Sequence, residues 1–66
     1  MMTSADIFAP ITAYQLKHGR KDTAKQIAAD TGLTEKRVGQ LKKYPGRATV
    51  AELEALTKEY HFNITI

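Results

Sequence analysis

Nine consecutive residues, Glu35 to Lys43, gather one carboxylate (Glu35), one carboxamide (Gln40) and four cations (Lys36, Arg37, Lys42, Lys43) around only two apolar side chains, Val38 and Leu41. Groups of this kind make hydrogen bonds rather than break covalent ones. Ammonium and guanidinium groups donate to anionic or carbonyl oxygens, a carboxamide both donates and accepts, and a carboxylate accepts from amino groups. Groups suited to catalysis are sparse by comparison. There is no cysteine, and His18 and His61 stand apart without neighbouring ligands. No Ser/His/Asp ordering, glycine-rich phosphate loop or paired-carboxylate pocket is evident. The sequence therefore argues against an enzyme and points to no metal, cofactor or small-molecule ligand.

Charge placement sharpens the point. The net charge is only +3, but nine of the ten basic residues lie between Lys17 and Arg47, opposed there by Asp22, Asp30 and Glu35 alone. That stretch carries +6 and the flanking segments together −3. A positive region focused in this way is the footprint of a polyanion binder. The N-terminal residues lack the basic-then-apolar layout of a signal peptide, and no run approaches the ~18 apolar residues that span a bilayer. A cytoplasmic protein without membrane contact is expected.

The elements that must position these groups follow from the punctuation. Sixty-six residues allow one domain, residues 1–66, with a thin core. Pro10 is best accommodated near a helix start, so a first helix is expected to begin at about Ile7 to Pro10 and run to His18, stopped by Gly19. Asp22 suits the N-cap of a second helix, Thr23 to about Thr31, whose narrow face is Ala24, Ile27, Ala28 and Thr31. Gly32 ends it, and Thr34 caps a third helix running through Tyr44 to the Pro45-Gly46 turn. Thr49 and Glu52 form a capping box for a fourth helix with Val50, Leu53, Leu56 and Tyr60 on one side. In the tail, Phe62, Ile64 and Ile66 alternate with polar residues, as in a strand, which must pack on the helices or pair with another strand. The expected fold is mainly all-α, a bundle of four to five helices with a short C-terminal strand. Tyr14, Tyr60, Phe8 and Phe62 are assigned to its core.

Thr23 to Tyr44 thus reads as two short helices joined by a tight glycine turn, the arrangement of a helix-turn-helix. Ala28 is small where the helices cross, Gly32 turns without strain, and Val38 plugs the core from the second helix. At about 100° per residue, Val38 and Leu41 face inward. Glu35, Lys36, Gly39, Gln40, Lys42 and Lys43 then face outward, with Arg37 on the flank. The first residues of such a helix reach base edges in the major groove. Lys36 suits guanine O6 and N7, Gln40 suits adenine, and Glu35 suits the amino group of cytosine. Glu35 has a plainer use as well, because a first-turn carboxylate complements the dipole of any helix. Gly39 costs about 1 kcal/mol relative to alanine, and close approach to DNA would offset it. Lys42, Lys43 and Arg47 on one side, with Thr23, Lys25, Thr34 and Arg37, are assigned to the phosphate backbone.

Through Thr23-Ala24-Lys25-Gln26-Ile27-Ala28-Ala29-Asp30-Thr31-Gly32-Leu33-Thr34, then Val38 and Leu41, and later Thr49 to Leu53 with Tyr60, Phe62 and Ile64, the chain resembles the phage Cro and repressor family of helix-turn-helix proteins. The resemblance spans about residues 11 to 64. It implies base contacts at Glu35, Lys36 and Gln40, and a transcriptional regulator from a phage, prophage or other mobile element that binds a double-stranded DNA operator as a homodimer. The chain departs from the family pattern at Ala24, where many members carry a phosphate-binding glutamine, and in having a strand-like tail where many have a fifth, dimerising helix. Two alternatives keep the same fold. One is a small protein-interaction module, such as an antitoxin-like or phage inhibitor subunit; the other is an accessory factor that bends DNA.

Overall fold

A computed structural model describes residues 3–64. They form α1 (Ser4–Lys17), α2 (Ala24–Thr31), α3 (Glu35–Lys43) and α4 (Val50–Tyr60), with a single 3-10 turn (Pro45–Arg47) between α3 and α4. All four α-helices open in the same way. Thr3, Thr23, Thr34 and Thr49 each hold extended backbone and accept, through Oγ1, the N–H of the residue three positions on, at 3.3, 3.1, 3.1 and 3.2 Å. A cap of this type contributes ~1 kcal/mol and fixes where a helix begins.

These caps account for two departures from the sequence-based boundaries. Helix α1 starts at Ser4, because Thr3 and Asp6 form a reciprocal capping box in which the Thr3 N–H donates to Asp6 Oδ2 at 2.8 Å. Pro10 consequently lies inside the helix, a placement that costs about 3 kcal/mol by itself. Burial of Ile7 and Phe8 before it and Ile11 after it offsets that cost and holds the turn together. At α2 the cap is Thr23, not Asp22. The Asp22 carboxylate instead accepts from Thr12 Oγ1 at 2.5 Å, tying the start of α2 to α1.

Helix α2 stops where expected. Gly32 adopts φ +80°, and its N–H bonds Ala28 O at 2.9 Å. Helix α3 begins at the Thr34 cap and ends at Tyr44, whose N–H returns to Gln40 O at 2.7 Å. At the far end of α4, His61 takes the left-handed conformation (φ 53°) that elsewhere among the described residues falls to Gly19 and Gly32. On α4 the inward side chains are Leu53, Leu56 and Tyr60. Val50, expected on that side, is 68% exposed in the first turn.

The core draws on every α-helix. Ile7, Phe8 and Ile11 of α1, Ile27 and Ala28 of α2, Val38 and Leu41 of α3, and Leu53, Leu56 and Tyr60 of α4 form one cluster. Tyr14, Ala24, Leu33, Ala48, Phe62 and Ile64 pack partly buried against it. The tail resolves in favour of packing: no strand forms among the described residues, and Ile66 lies outside them. Two residues cannot build a ladder without a neighbour, whereas Phe62 and Ile64 gain burial at once by lying on the helices.

One polar node sits within this packing. Asp30 Oδ2 accepts from Tyr60 Oη at 3.0 Å and from the fully buried Gln15 Nε2 at 3.2 Å, while Oδ1 accepts from Gln26 Nε2 at 2.8 Å. Gln15 Nε2 also reaches Lys21 O at 3.3 Å. Burial, then the bond to Asp30, pushes the Tyr60 phenol above its ordinary value, so it remains a donor throughout the working pH range. Helices α1, α2 and α4 are thereby joined through a single carboxylate.

Gly32 offers a direct check on the turn. A Cβ there meets no atom within 4 Å, so the cost of a side chain is that of the left-handed backbone alone. Gly32→Ala is expected to lose roughly 1–2 kcal/mol in urea denaturation. Gly46→Ala, also in open space but without a positive φ, should stay within about 0.5 kcal/mol of the parent.

Candidate nucleic-acid interface

Two side chains set the orientation of α3. Val38 and Leu41 are buried at 1% and 0% exposure, and the helical period then dictates the rest. Glu35, Lys36, Gly39, Gln40 and Lys43 are all exposed on the remaining surface, together with the two caps Thr23 and Thr34 and with Lys25. The caps use their oxygens on the helix N–H groups, and a hydroxyl so engaged keeps its own proton to donate. Nothing in the folded chain requires glycine at position 39, where a Cβ would stand in open space.

The 3-10 turn extends this surface. The Arg47 guanidinium lies over the Tyr44 ring, 5.0 Å from its centroid, and Tyr44 is itself 49% exposed. Stacking of this kind restrains a long cation and favours one reach for it. From sequence, Tyr44 marks only the end of α3. Its three-residue offset from Arg47 across Pro45-Gly46 was the available signal for the pairing. Lys42 turns back instead, half-buried, with Nζ 5.6 Å from the centroid of Phe8 on α1.

Arg37 is the residue whose surroundings differ most from the sequence reading. Its guanidinium faces α4: Nε donates to Glu52 Oε2 at 2.6 Å and Nη2 to Glu52 Oε1 at 2.9 Å, a two-pronged ion pair. Nη2 also donates to Arg47 O at 2.9 Å, and Nη1 to Gln40 Oε1 at 3.3 Å. The carboxylate comes from outside the basic stretch, so the local charge ledger drawn from sequence overstates the free cation at this position. Glu52 was visible only as half of a capping box. That role is real, since Glu52 Oε1 accepts the Thr49 N–H at 2.9 Å. No sequence spacing announces that the same carboxylate, fifteen residues away, also holds Arg37.

The electrostatic consequence is marked. Hydrogen bonding from Arg37, opposed by burial and aided by the backbone and side chain of Thr49, lowers the Glu52 carboxyl from an ordinary 4.5 to about 2. The same contact raises Arg37 further above its ordinary value, so both partners stay charged at any working pH.

Among the described residues, no group of three or more His, Cys, Asp or Glu side chains is placed to hold a metal ion, and no helix is long and apolar enough to cross a membrane. Comparison with known proteins finds no match to a family model, to a curated protein or to a solved structure.

Two outcomes follow from this geometry. Because the folded pKa of Glu52 is depressed, its contribution to stability is complete above about pH 4.5 and is lost as pH falls toward 2. Urea midpoints of the parent and Glu52→Gln should therefore differ at neutral pH and converge across that acid window. Gly39→Ala should raise stability by up to about 1 kcal/mol, because its methyl meets nothing in the fold, and it should weaken any ligand that approaches α3 closely. A titration of DNA affinity beside a thermal melt separates the two effects.

Proposed function

We propose that this chain is a sequence-specific, double-stranded-DNA-binding transcriptional regulator of the Cro or repressor type, acting as a homodimer in the cytoplasm. Helix α3 enters the major groove of an operator. Glu35, Lys36 and Gln40 meet base edges, Gly39 permits close approach, and Lys43, Arg47, Lys25 and the caps Thr23 and Thr34 meet phosphates.

The observation that carries this reading is the surface of α3. A nine-residue helix committed to the core by only two side chains offers an exposed carboxylate, carboxamide and ammonium groups along one face. It is reached through a glycine turn from a helix of eight residues, and exposed cations flank it on both sides. Beside its first-turn complement to the helix dipole, Glu35 favours sequence reading over general adhesion, because a carboxylate among phosphates costs energy unless a base amino group receives it. Phosphate contacts give affinity and orientation, and the outward set on α3 gives discrimination. Two copies, with recognition helices about 34 Å apart, match half-sites in successive major grooves. Occupancy of such a site excludes polymerase, with control through protein concentration.

Selection of binding sites from a random duplex pool tests the proposal. An enriched inverted repeat with half-sites one helical turn apart, bound with an affinity that falls steeply with salt, is the expected result. Weak, salt-sensitive binding without enrichment moves the chain to the DNA-bending or protein-partner alternative. On the enriched site, Glu35→Ala and Gln40→Ala should each relax preference at one or two base pairs. Lys43→Ala should weaken all duplexes alike and lower the salt slope by about one. Identical behaviour of the three variants contradicts the division into reading and anchoring residues.

A further inference from the structure

Arg37 lies on the reading helix, yet its guanidinium is spent inside the chain. Nε and both protons of Nη2 go to Glu52 and to Arg47 O, and Nη1 gives a further bond to Gln40 Oε1. Of the five donors an arginine possesses, one Nη1 proton remains. A phosphate anchor needs a cation free to turn outward; this one is paired and fixed at two edges.

Gln40 is exposed, and its carboxamide is the group whose orientation matters most for base reading. Turned one way it presents a donor outward, turned the other an acceptor, and a free glutamine samples both. The Arg37 bond selects between them. With Oε1 drawn toward Nη1, the Nε2 protons are presented away from the protein. Base edges that carry acceptors in the major groove, the purine N7 above all, then match the residue, and an edge offering only a donor does not.

We infer that Arg37 is a positioning residue: held by Glu52, it fixes the Gln40 carboxamide with its N–H groups outward and so assigns Gln40 to an acceptor-bearing base edge. The inference rests on the proposed reading of DNA by α3 and adds to it the residue that sets the specificity of one contact. Glu52 supports it from α4 and is in turn kept in place by the Thr49 N–H. The chain of contacts runs from the cap of one helix to the reading face of another.

The experiment combines a DNA-free measurement with a binding series. In the free protein, 15N relaxation of the Gln40 side-chain amide should show an ordered group in the parent and a mobile one in the charge-neutral variant Arg37→Met/Glu52→Gln. Equal mobility in both overturns the inference whatever the DNA does. Binding is then measured on the selected duplex and on duplexes altered only at the base pair that Gln40→Ala identifies. The double variant should lose about tenfold of the preference at that pair, the scale of one base-edge pairing, with an unchanged salt slope. A uniform loss on every duplex, with the slope reduced by about one, makes Arg37 a phosphate anchor and overturns the inference.

Glu52→Gln alone keeps the α4 cap and carries the test if the double variant does not fold. A positioning Arg37 then yields weaker preference at the Gln40 pair, whereas an anchoring Arg37, released from its carboxylate, yields tighter binding to all duplexes. A parent protein that shows no preference for any sequence overturns the reading of DNA by α3, and the inference with it. Preference that is strong but indifferent to Arg37 overturns the inference alone.

Discussion

The arrangement of this protein depends on a shortage of apolar side chains in α3. Only Val38 and Leu41 of its nine residues enter the core, and a helix held by two positions one turn apart has one orientation that buries both. Glu35, Lys36, Gln40 and Lys43 are then left exposed, with Arg37 and Lys42 on the flanks. The helix has no stability of its own at this length, so it exists because α1, α2 and α4 supply the surface against which those two side chains pack. Function and fold are linked at this point: the face that stays unburied is the face available to a ligand.

Polar contacts decide how that minimal core is registered. Asp30 gathers Gln15, Gln26 and Tyr60, joining α1, α2 and α4, and Glu52 gathers Arg37 and Thr49, joining α3 to α4. Partly buried ion pairs add little net stability once desolvation is counted, but removing one partner leaves the other in a poor environment. Their use here is directional. Val38 and Leu41 fix which face of α3 is buried, and the two-pronged arginine–carboxylate pair adds a directional tie to α4. Four threonine caps act at the same level, each defining the first turn of a helix too short to define itself.

Local signals were legible wherever the physics is local. The Gly32 turn, the Thr34 cap, the Thr49–Glu52 box and the inward pair Val38 and Leu41 all depend on residues within one or two turns of each other, and all stand where the sequence places them. The start of α1 departs from the sequence expectation because Pro10 weighs heavily in sequence, whereas burial of Ile7, Phe8 and Ile11 outweighs it in the fold. Asp22 and Thr23 are both good caps on composition, and the choice fell to Thr23 once Thr12 of α1 claimed the Asp22 carboxylate. The alternating tail reads as a strand by period alone, but period cannot supply a neighbouring strand.

The sequence by itself determined the helical elements, the glycine turn between α2 and α3, and the set of residues that face outward from α3, since each follows from caps, breakers and the 3.6-residue period. Only the tertiary structure decided which of those outward residues are free. Arg37 and Lys42 are cations of the same stretch as Lys43, yet one is bound to Glu52 and the other lies over Phe8, while Lys43 is exposed. Their partners come from α4 and α1, brought close by packing, and a contact between distant segments leaves no periodic trace in the chain.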